Sequence, residues 1–195
     1  MVLLLDIDRT GPPHRFTDAD AFLFLEIVSK TGGISRKDLS EYLGLGEGSV
    51  RTLIEKLKEF KLICIKQTGI TINPRGSEIL KALGIRTVGI SVGAYVMGEH
   101  QFGVIINNSS EKVFNGIDQR NIVIKTGGEG CTTWVEKNEK LIMLPDWDVD
   151  ENDSVLSETI HKKAKMEEGD VLIVAGGNTK RTAMISAVTA ALDLI

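Results

Sequence analysis

The sequence predicts an α+β protein, with a helix-rich head followed by a two-layer α+β domain. Three observations predict it. From Ala21 to Leu83 apolar residues recur at helical spacing, interrupted once by two short β-rich runs, Leu62–Ile65 and Ile70–Ile72. Beyond about residue 85 the pattern changes to short β-rich runs interleaved with helical ones. The chain has 195 residues, of which 42% are hydrophobic and 26% charged, ordinary usage for a globular protein. These patterns divide the chain into two domains, 1–85 and 86–195.

Each element has a local reason. Val2 to Ile7 fits a short strand, which Gly11-Pro12-Pro13 ends. Thr17 stands as a helix N-cap with Asp20 in the capping-box position, and Ala21, Phe22, Leu25 and Val28 follow at helical spacing. Thr31-Gly32-Gly33 stops that helix. Ser35 caps a second, short helix bearing Leu39, Tyr42 and Leu43. Gly44-Leu-Gly-Glu-Gly48 is a turn. Ser49 then caps a third helix, whose apolar stripe is Val50, Leu53, Ile54 and Leu57. Leu62–Ile65 and Ile70–Ile72 make a hairpin with its tip at Thr68-Gly69. Asn73-Pro74 opens a fourth helix that stops at Gly84.

In the second domain, Thr87–Val92 and Gln101–Ile106 read as strands, and Gly116–Lys125 as a helix. Thr132–Val135 and Leu141–Leu144 are two more strands, joined at Asn138-Glu139. An acidic loop spans 146–153 and a polar amphipathic helix Val155–Met166. Val171–Val174 reads as a fully buried strand, and Asn178 caps a last, Ala-rich helix. The helices are expected on one face of the sheet.

Composition excludes several roles. Lys and Arg number 23 against 27 Asp and Glu, a net charge of −4, so the whole chain is no basic nucleic-acid coat. The opening Met-Val-Leu-Leu-Leu run ends at Asp6, short of the roughly 18 apolar residues of a spanning helix, so no membrane partner is expected. Cys64 and Cys131 are too few for a disulfide scaffold and point to a reducing cytoplasm. The three histidines, His14, His100 and His161, are scattered, so neither metal nor cofactor is expected.

Segment 17–83 runs helix, helix, turn, helix, hairpin, helix. Gly33-Ile-Ser-Arg-Lys-Asp-Leu-Ser-Glu-Tyr-Leu43, Ser49-Val-Arg-Thr-Leu-Ile-Glu-Lys-Leu57, Leu62-Ile63 and Ile70-Thr-Ile-Asn-Pro-Arg-Gly76 resemble a winged helix-turn-helix. The last stretch is similar to the wing of the iron-dependent and multiple-antibiotic-resistance repressor families. The resemblance implies double-stranded DNA as partner, with the third helix presented to a major groove. The outward residues Ser49, Arg51 and Thr52 would then meet base edges. Arg36, Lys37 and Lys56 suit phosphates, and Lys66, Gln67 and Thr68 lie at the wing. Residues 34–85 carry nine Lys/Arg against six Asp/Glu, a net of +3, whereas 86–195 carry 11 against 16, a net of −5. A single copy would neutralise few phosphates, so a homodimer is expected.

Asn115-Gly-Ile-Asp-Gln-Arg120, Gly130-Cys-Thr-Thr133 and the closing helix from Lys180-Arg-Thr-Ala183 to Leu194 resemble a small archaeal family. Its members join an N-terminal winged helix to an α+β domain similar to the GAD insertion domain of some aminoacyl-tRNA synthetases. Asp118, Arg120, Lys125, Thr132 and Thr133 form a polar stretch fit to line a small-molecule pocket; a solvated helix face is the alternative.

Other motifs fail on spacing. Gly44-Leu-Gly-Glu-Gly48 follows a helix rather than a strand and lacks the dinucleotide spacing. Taken as an EF-hand from Asp146, the acidic loop has Glu151 and Ser157 where Gly and Glu are needed. Gly176-Gly177 before the last helix is a tight turn or an anion loop. No nucleophile with its base can be assembled, so no catalytic residue is assigned. The expectation is a cytoplasmic, dimeric transcription regulator whose second domain senses a small molecule or dimerises. The alternatives are an enzyme with catalytic residues in 86–195 and a protein-interaction adaptor.

Overall fold

The computed structural model describes residues 16–195. The short strand expected at Val2–Ile7 and the break at Gly11-Pro12-Pro13 lie outside the described residues. The chain divides into two compact units, one ending at Leu83 and the other Gly84–Ile195.

In the first unit, α1 (Asp18–Thr31) opens on a complete capping box. The Thr17 amide donates to the Asp20 carboxylate at 2.8 Å, and the Asp20 amide donates back to the Thr17 hydroxyl at 3.4 Å. Phe22, Leu23, Phe24, Leu25 and Val28 are all fully buried, so α1 is apolar nearly all round and forms the centre of the unit. It stops at Gly32, whose φ of +67° is left-handed. The Ser35 hydroxyl caps α2 (Arg36–Leu43) by accepting the Asp38 amide at 3.1 Å. Next, α3 (Glu47–Glu59) buries Val50, Leu53, Ile54 and Leu57, the predicted stripe. Its N-cap is Gly46, however, so Ser49 lies inside the first turn and does not cap it.

A hairpin follows, β1 (Ile63–Lys66) and β2 (Gly69–Ile72), paired from Ile63↔Ile72 to Lys66↔Gly69 around the two-residue loop Gln67-Thr68. Gly69 has φ +113°, and a side chain there would strike the Ile34 carbonyl. That proximity has a cause. The segment between α1 and α2 forms a bridge to the hairpin, with the Ile34 amide donating to the Ile70 carbonyl and the Ile70 amide donating back, at 3.2 and 2.9 Å. The start of α2 is thereby tied to the hairpin. Asn73 stands before α4 (Pro74–Leu83), with Pro74 at the first helical position. Its side-chain amide donates to the carbonyls of Lys61 and Ile63 and so clamps the hairpin's base.

The second unit is built on one antiparallel sheet in the order β3-β4-β8-β5-β6-β7. The strands are β3 (Ile85–Val88), β4 (His100–Ile106), β5 (Gly130–Lys137), β6 (Lys140–Met143), β7 (Trp147–Asp148) and β8 (Val171–Gly177). The last strand enters between β4 and β5, and all seven of its residues are buried. The helices α5 (Ile117–Lys125) and α8 (Lys180–Leu194) cover one face: α8 lies on β4 and β8, and α5 on β5 and α8. This is the α+β class, sheet and helices in layers. The amphipathic helix, α7 (Ser154–Ala164), goes to the opposite face. There Leu156, Ile160 and Ala164 join Trp134, Leu172, Val174 and the 90–96 segment in one core. The Gln101 side chain secures that segment with three hydrogen bonds at 2.8 Å, to the Val92 amide and the Gly93 and Val96 carbonyls.

Two local expectations differ from the structure. Thr179, not Asn178, caps α8, its hydroxyl accepting the Thr182 amide at 3.1 Å. The acidic stretch 146–153 is not a solvated loop; it contains β7 and the one-turn helix α6 (Val149–Asn152). Asp148, Asp150, Glu151 and Asp153 have structural partners. Asp148 caps α6, and Asp153 caps α7 while accepting the Tyr95 hydroxyl at 2.6 Å. Asp150 accepts the Leu141 amide at 2.8 Å, the Ser157 hydroxyl and the His161 ring. Lys140 reaches Asp148 and Glu151, both at 2.6 Å. Among the described residues no helix is long and apolar enough to cross a membrane.

These bonds set the response to acid. The Lys140 ammonium holds the Asp148 carboxyl below its usual range, and the Tyr95 hydroxyl with the Leu156 amide does the same for Asp153. Burial works to raise Asp150, but the Leu141 amide, Ser157 and His161 together lower it. Groups depressed in the fold stabilise it fully above the ordinary carboxylate value, near ~4, and lose that contribution as pH falls through their folded values. Glu136 opposes them, because burial raises it. With three depressed carboxyls in this segment against one raised, the urea midpoint should fall from pH 6 to pH 3, and Asp153→Asn should make that fall shallower. Separately, Thr17→Ala should cost about 1 kcal/mol at neutral pH, measured by urea unfolding.

Candidate nucleic-acid interface and ligand pocket

The first unit presents a groove of about 500 Å3 between α2, α3 and the hairpin. Ile34, Ile54, Ile65 and Ile70 make its apolar walls; Arg36, Arg51, Glu55 and Lys58 make its charged rim. The Ile34–Ile70 bridge explains why Arg36 and Arg51 share it. The bridge sets the start of α2 beside the hairpin, and α3 packs against both α2 and β1. Of the nine residues predicted for DNA, only Arg36 and Arg51 line this groove. Lys37, Lys66, Gln67 and Thr68 are exposed outside it. Ser49, Thr52 and Lys56 are half-buried, and the Thr52 hydroxyl donates to the Gly48 carbonyl at 3.2 Å. Lys58 and Ile65, outside those nine, also line the groove. Lys58 follows from the helical period, three and seven residues beyond Glu55 and Arg51. Ile65 shares a strand face with buried Ile63, yet is 57% exposed because β1 runs past the edge of the core.

In the second unit the five predicted ligand residues fall into two depressions. Asp118 and Lys125 line one of about 480 Å3, with Lys112, Asn121 and Asp193. Arg120, Thr132 and Thr133 line another of about 310 Å3, with Tyr95, Asn115, Gly116, Ile117, Cys131, Met143 and Leu144. The helical turn is the cause, since positions 118, 122 and 125 face one way and 117 and 120 another. One small molecule therefore cannot touch all five.

The second depression lies where β5 outruns its neighbour. The last register pair of β5 with β6 is Trp134↔Met143, whereas β5 begins at Gly130. The Thr132 hydroxyl donates to the Tyr95 carbonyl and is engaged. The Thr133 hydroxyl is buried and makes no hydrogen bond of normal geometry. Burial pushes the Cys131 thiol up to about 12; the Arg120 charge and the neighbouring Thr133 hydroxyl offset this only in part. At neutral pH Cys131 is thus a protonated thiol and a poor nucleophile. Among the described residues no group of three or more His, Cys, Asp or Glu side chains is placed to hold a metal ion.

The chain is similar to known families and solved structures. A family model described as "Domain of unknown function (DUF4443)" matches residues 97–194. A second, described as "PH0730-like, N-terminal domain", matches residues 16–78. The solved structure titled "Hypothetical protein PH0730 from Pyrococcus horikoshii OT3" is similar over 92% of this chain and 93% of its own, at 27% identity and a TM-score of 0.75. No curated protein matches the chain.

The half-buried Cys131 thiol supplies a check on the pocket. Iodoacetamide at pH 8 should label Cys131 in the native protein at least about tenfold more slowly than in the urea-unfolded chain, read by peptide mass mapping.

Proposed function

Because the chain belongs to the DUF4443 family, whose description states no activity, we propose its function from its two units: a DNA-binding regulator whose second unit binds a small effector. The first unit acts as a winged helix-turn-helix. Its α3 enters the major groove, and the hairpin serves as the wing. The observation that carries this reading is the convergence of Arg36 and Arg51 on one groove beside α3, with Lys58 on the same rim. Guanidinium groups on an exposed helix face suit phosphates and guanine edges. The surrounding sequence is the basic part of the chain, +3 over residues 34–85 against −5 over 86–195. So small an excess neutralises few phosphates, and the functional species is a homodimer that doubles the contacts and sets the half-site spacing.

The apolar walls of the groove favour a second reading. Ile34, Ile54, Ile65 and Ile70 offer a protein segment more than they offer DNA, and Ile65 is exposed. An adaptor would bind a partner there and leave DNA alone. The two readings part on salt. A regulator's affinity for genomic fragments should fall linearly on a log–log plot as salt rises, and Arg51→Ala should weaken it about tenfold or more. Selection of genomic fragments by the purified protein, followed by salt titration of Arg36→Ala and Arg51→Ala, measures both. Salt-independent or absent binding overturns the regulator, and Ile65→Asp would then be the change that removes a protein partner.

A further inference from the structure

The depression beside β5 has the chemistry of an anion site, resting on the reading of the second unit as the effector-binding part. Its polar features converge from two elements. From α5 come the helix start and Arg120. The N-cap is Gly116, with φ +74°, and it supplies no side chain to satisfy the first turn. Asn115 takes one amide, its carboxamide oxygen accepting the Ile117 N–H at 3.0 Å. The helix start still carries partial positive charge. Arg120 follows one turn on, exposed at the surface.

From β5 comes an independent sign of a ligand. Thr133 is only 3% exposed, and among the described residues its hydroxyl oxygen makes no hydrogen bond of normal geometry, having only the weak Cys131 thiol beside it. It lies against the α5 start, since a Cβ placed on Gly116 would lie 3.2 Å from that oxygen. A buried hydroxyl left without a partner is costly, and a ligand acceptor would satisfy it.

The charge balance sets the sign and size of the ligand. Among the described residues Arg120 is the one charged residue lining the depression, and no carboxylate lines it. Asp118, although in the same helical turn, lines the other depression. Ile117, Met143 and Leu144 supply an apolar wall. A volume of about 310 Å3 is at the small end for ligand sites. One guanidinium matches a single negative charge in the bidentate manner of a carboxylate.

We propose that the cleft between the α5 start and the open edge of β5 binds a small monocarboxylate with an apolar body, its carboxylate held by Arg120, the α5 start and the Thr133 hydroxyl. The apolar body rests on Ile117, Met143 and Leu144. The tight cleft and lone guanidinium disfavour a nucleotide or a multiply charged phosphate.

The test is titration of the full chain by calorimetry and by amide NMR with three probes: 3-methylbutanoate, its neutral amide, and inorganic phosphate. The carboxylate should bind saturably and shift the amides of residues 116–120 and 131–133, with the neutral amide bound at least about tenfold more weakly. Arg120→Ala, at an exposed position, should weaken carboxylate binding at least about tenfold. Thr133→Val keeps the shape and removes the hydroxyl; it should leave the fold intact and weaken binding about threefold or more. Equal binding of acid and amide, tighter binding of phosphate, or shifts confined to other residues would overturn the proposal. Unchanged affinity in Thr133→Val would remove that hydroxyl from the site. No DNA is present in these titrations, so their failure rejects the pocket and leaves the regulator standing, whereas loss of DNA binding rejects the regulator and leaves the pocket.

Discussion

The entry of β8 between β4 and β5 is the constraint on which the second unit rests. Its residues contribute to both faces at once. Leu172 and Val174 join Trp134 and α7 on one side, while a side chain on Gly177 would meet Thr182 and Ala183 of α8 on the other. Small residues close the strand for a physical reason. A Cβ on Gly176 would overlap the Met97 carbonyl, so the 90–97 segment can cross there only over glycine. Register follows from β8 as well, for β4 and β5 each pair with it along most of their length. Because β5 is held by β8 and released by the neighbouring chain after the Leu144 amide bonds the Thr133 carbonyl, its Cys131–Thr132 end is left as an open edge beside α5.

In the first unit, a two-bond bridge does comparable work with far less buried surface. Ile34 and Ile70 exchange hydrogen bonds, Gly69 permits the close approach, and Asn73 clamps the other end of the hairpin. The hairpin would otherwise be marginal, since two strands alone bury little. The same bridge decides which cations meet. Arg36 stands two residues beyond Ile34 and is carried to the groove rim with it, whereas Lys37, the next residue, faces elsewhere.

The two units divide the chemistry between them. The excess of acid in the second unit is partly consumed by structure. Asp148 and Asp153 cap helices and bind Lys140 and Tyr95, and Asp150 binds the Leu141 amide and His161, rather than facing water as a charged loop. Net charge alone therefore overstates how acidic that surface is to a ligand, and the cleft beside β5 is lined by one arginine and no carboxylate. A mildly acidic chain can in this way hold a basic head and a cleft whose charged lining residue is an arginine.

By itself the sequence determined what local energetics control. Thr17 and Ser35 cap because a hydroxyl three residues before a free amide satisfies it without help from elsewhere. The stripe Val50, Leu53, Ile54 and Leu57 is buried because the helical period places those residues together. Val171–Val174 was legible as buried because a continuous apolar run admits no solvated face. Only the tertiary structure decided matters resting on distant partners. It turned the acidic stretch into caps, because the Leu141 amide and the Lys140 ammonium arrive from the neighbouring strand. It separated Asp118 and Lys125 from Arg120, Thr132 and Thr133, because α5 presents two sides and β5 lies against only one. It set Arg36 and Arg51 on one groove, because a backbone bridge between Ile34 and Ile70 leaves no periodic trace in the chain.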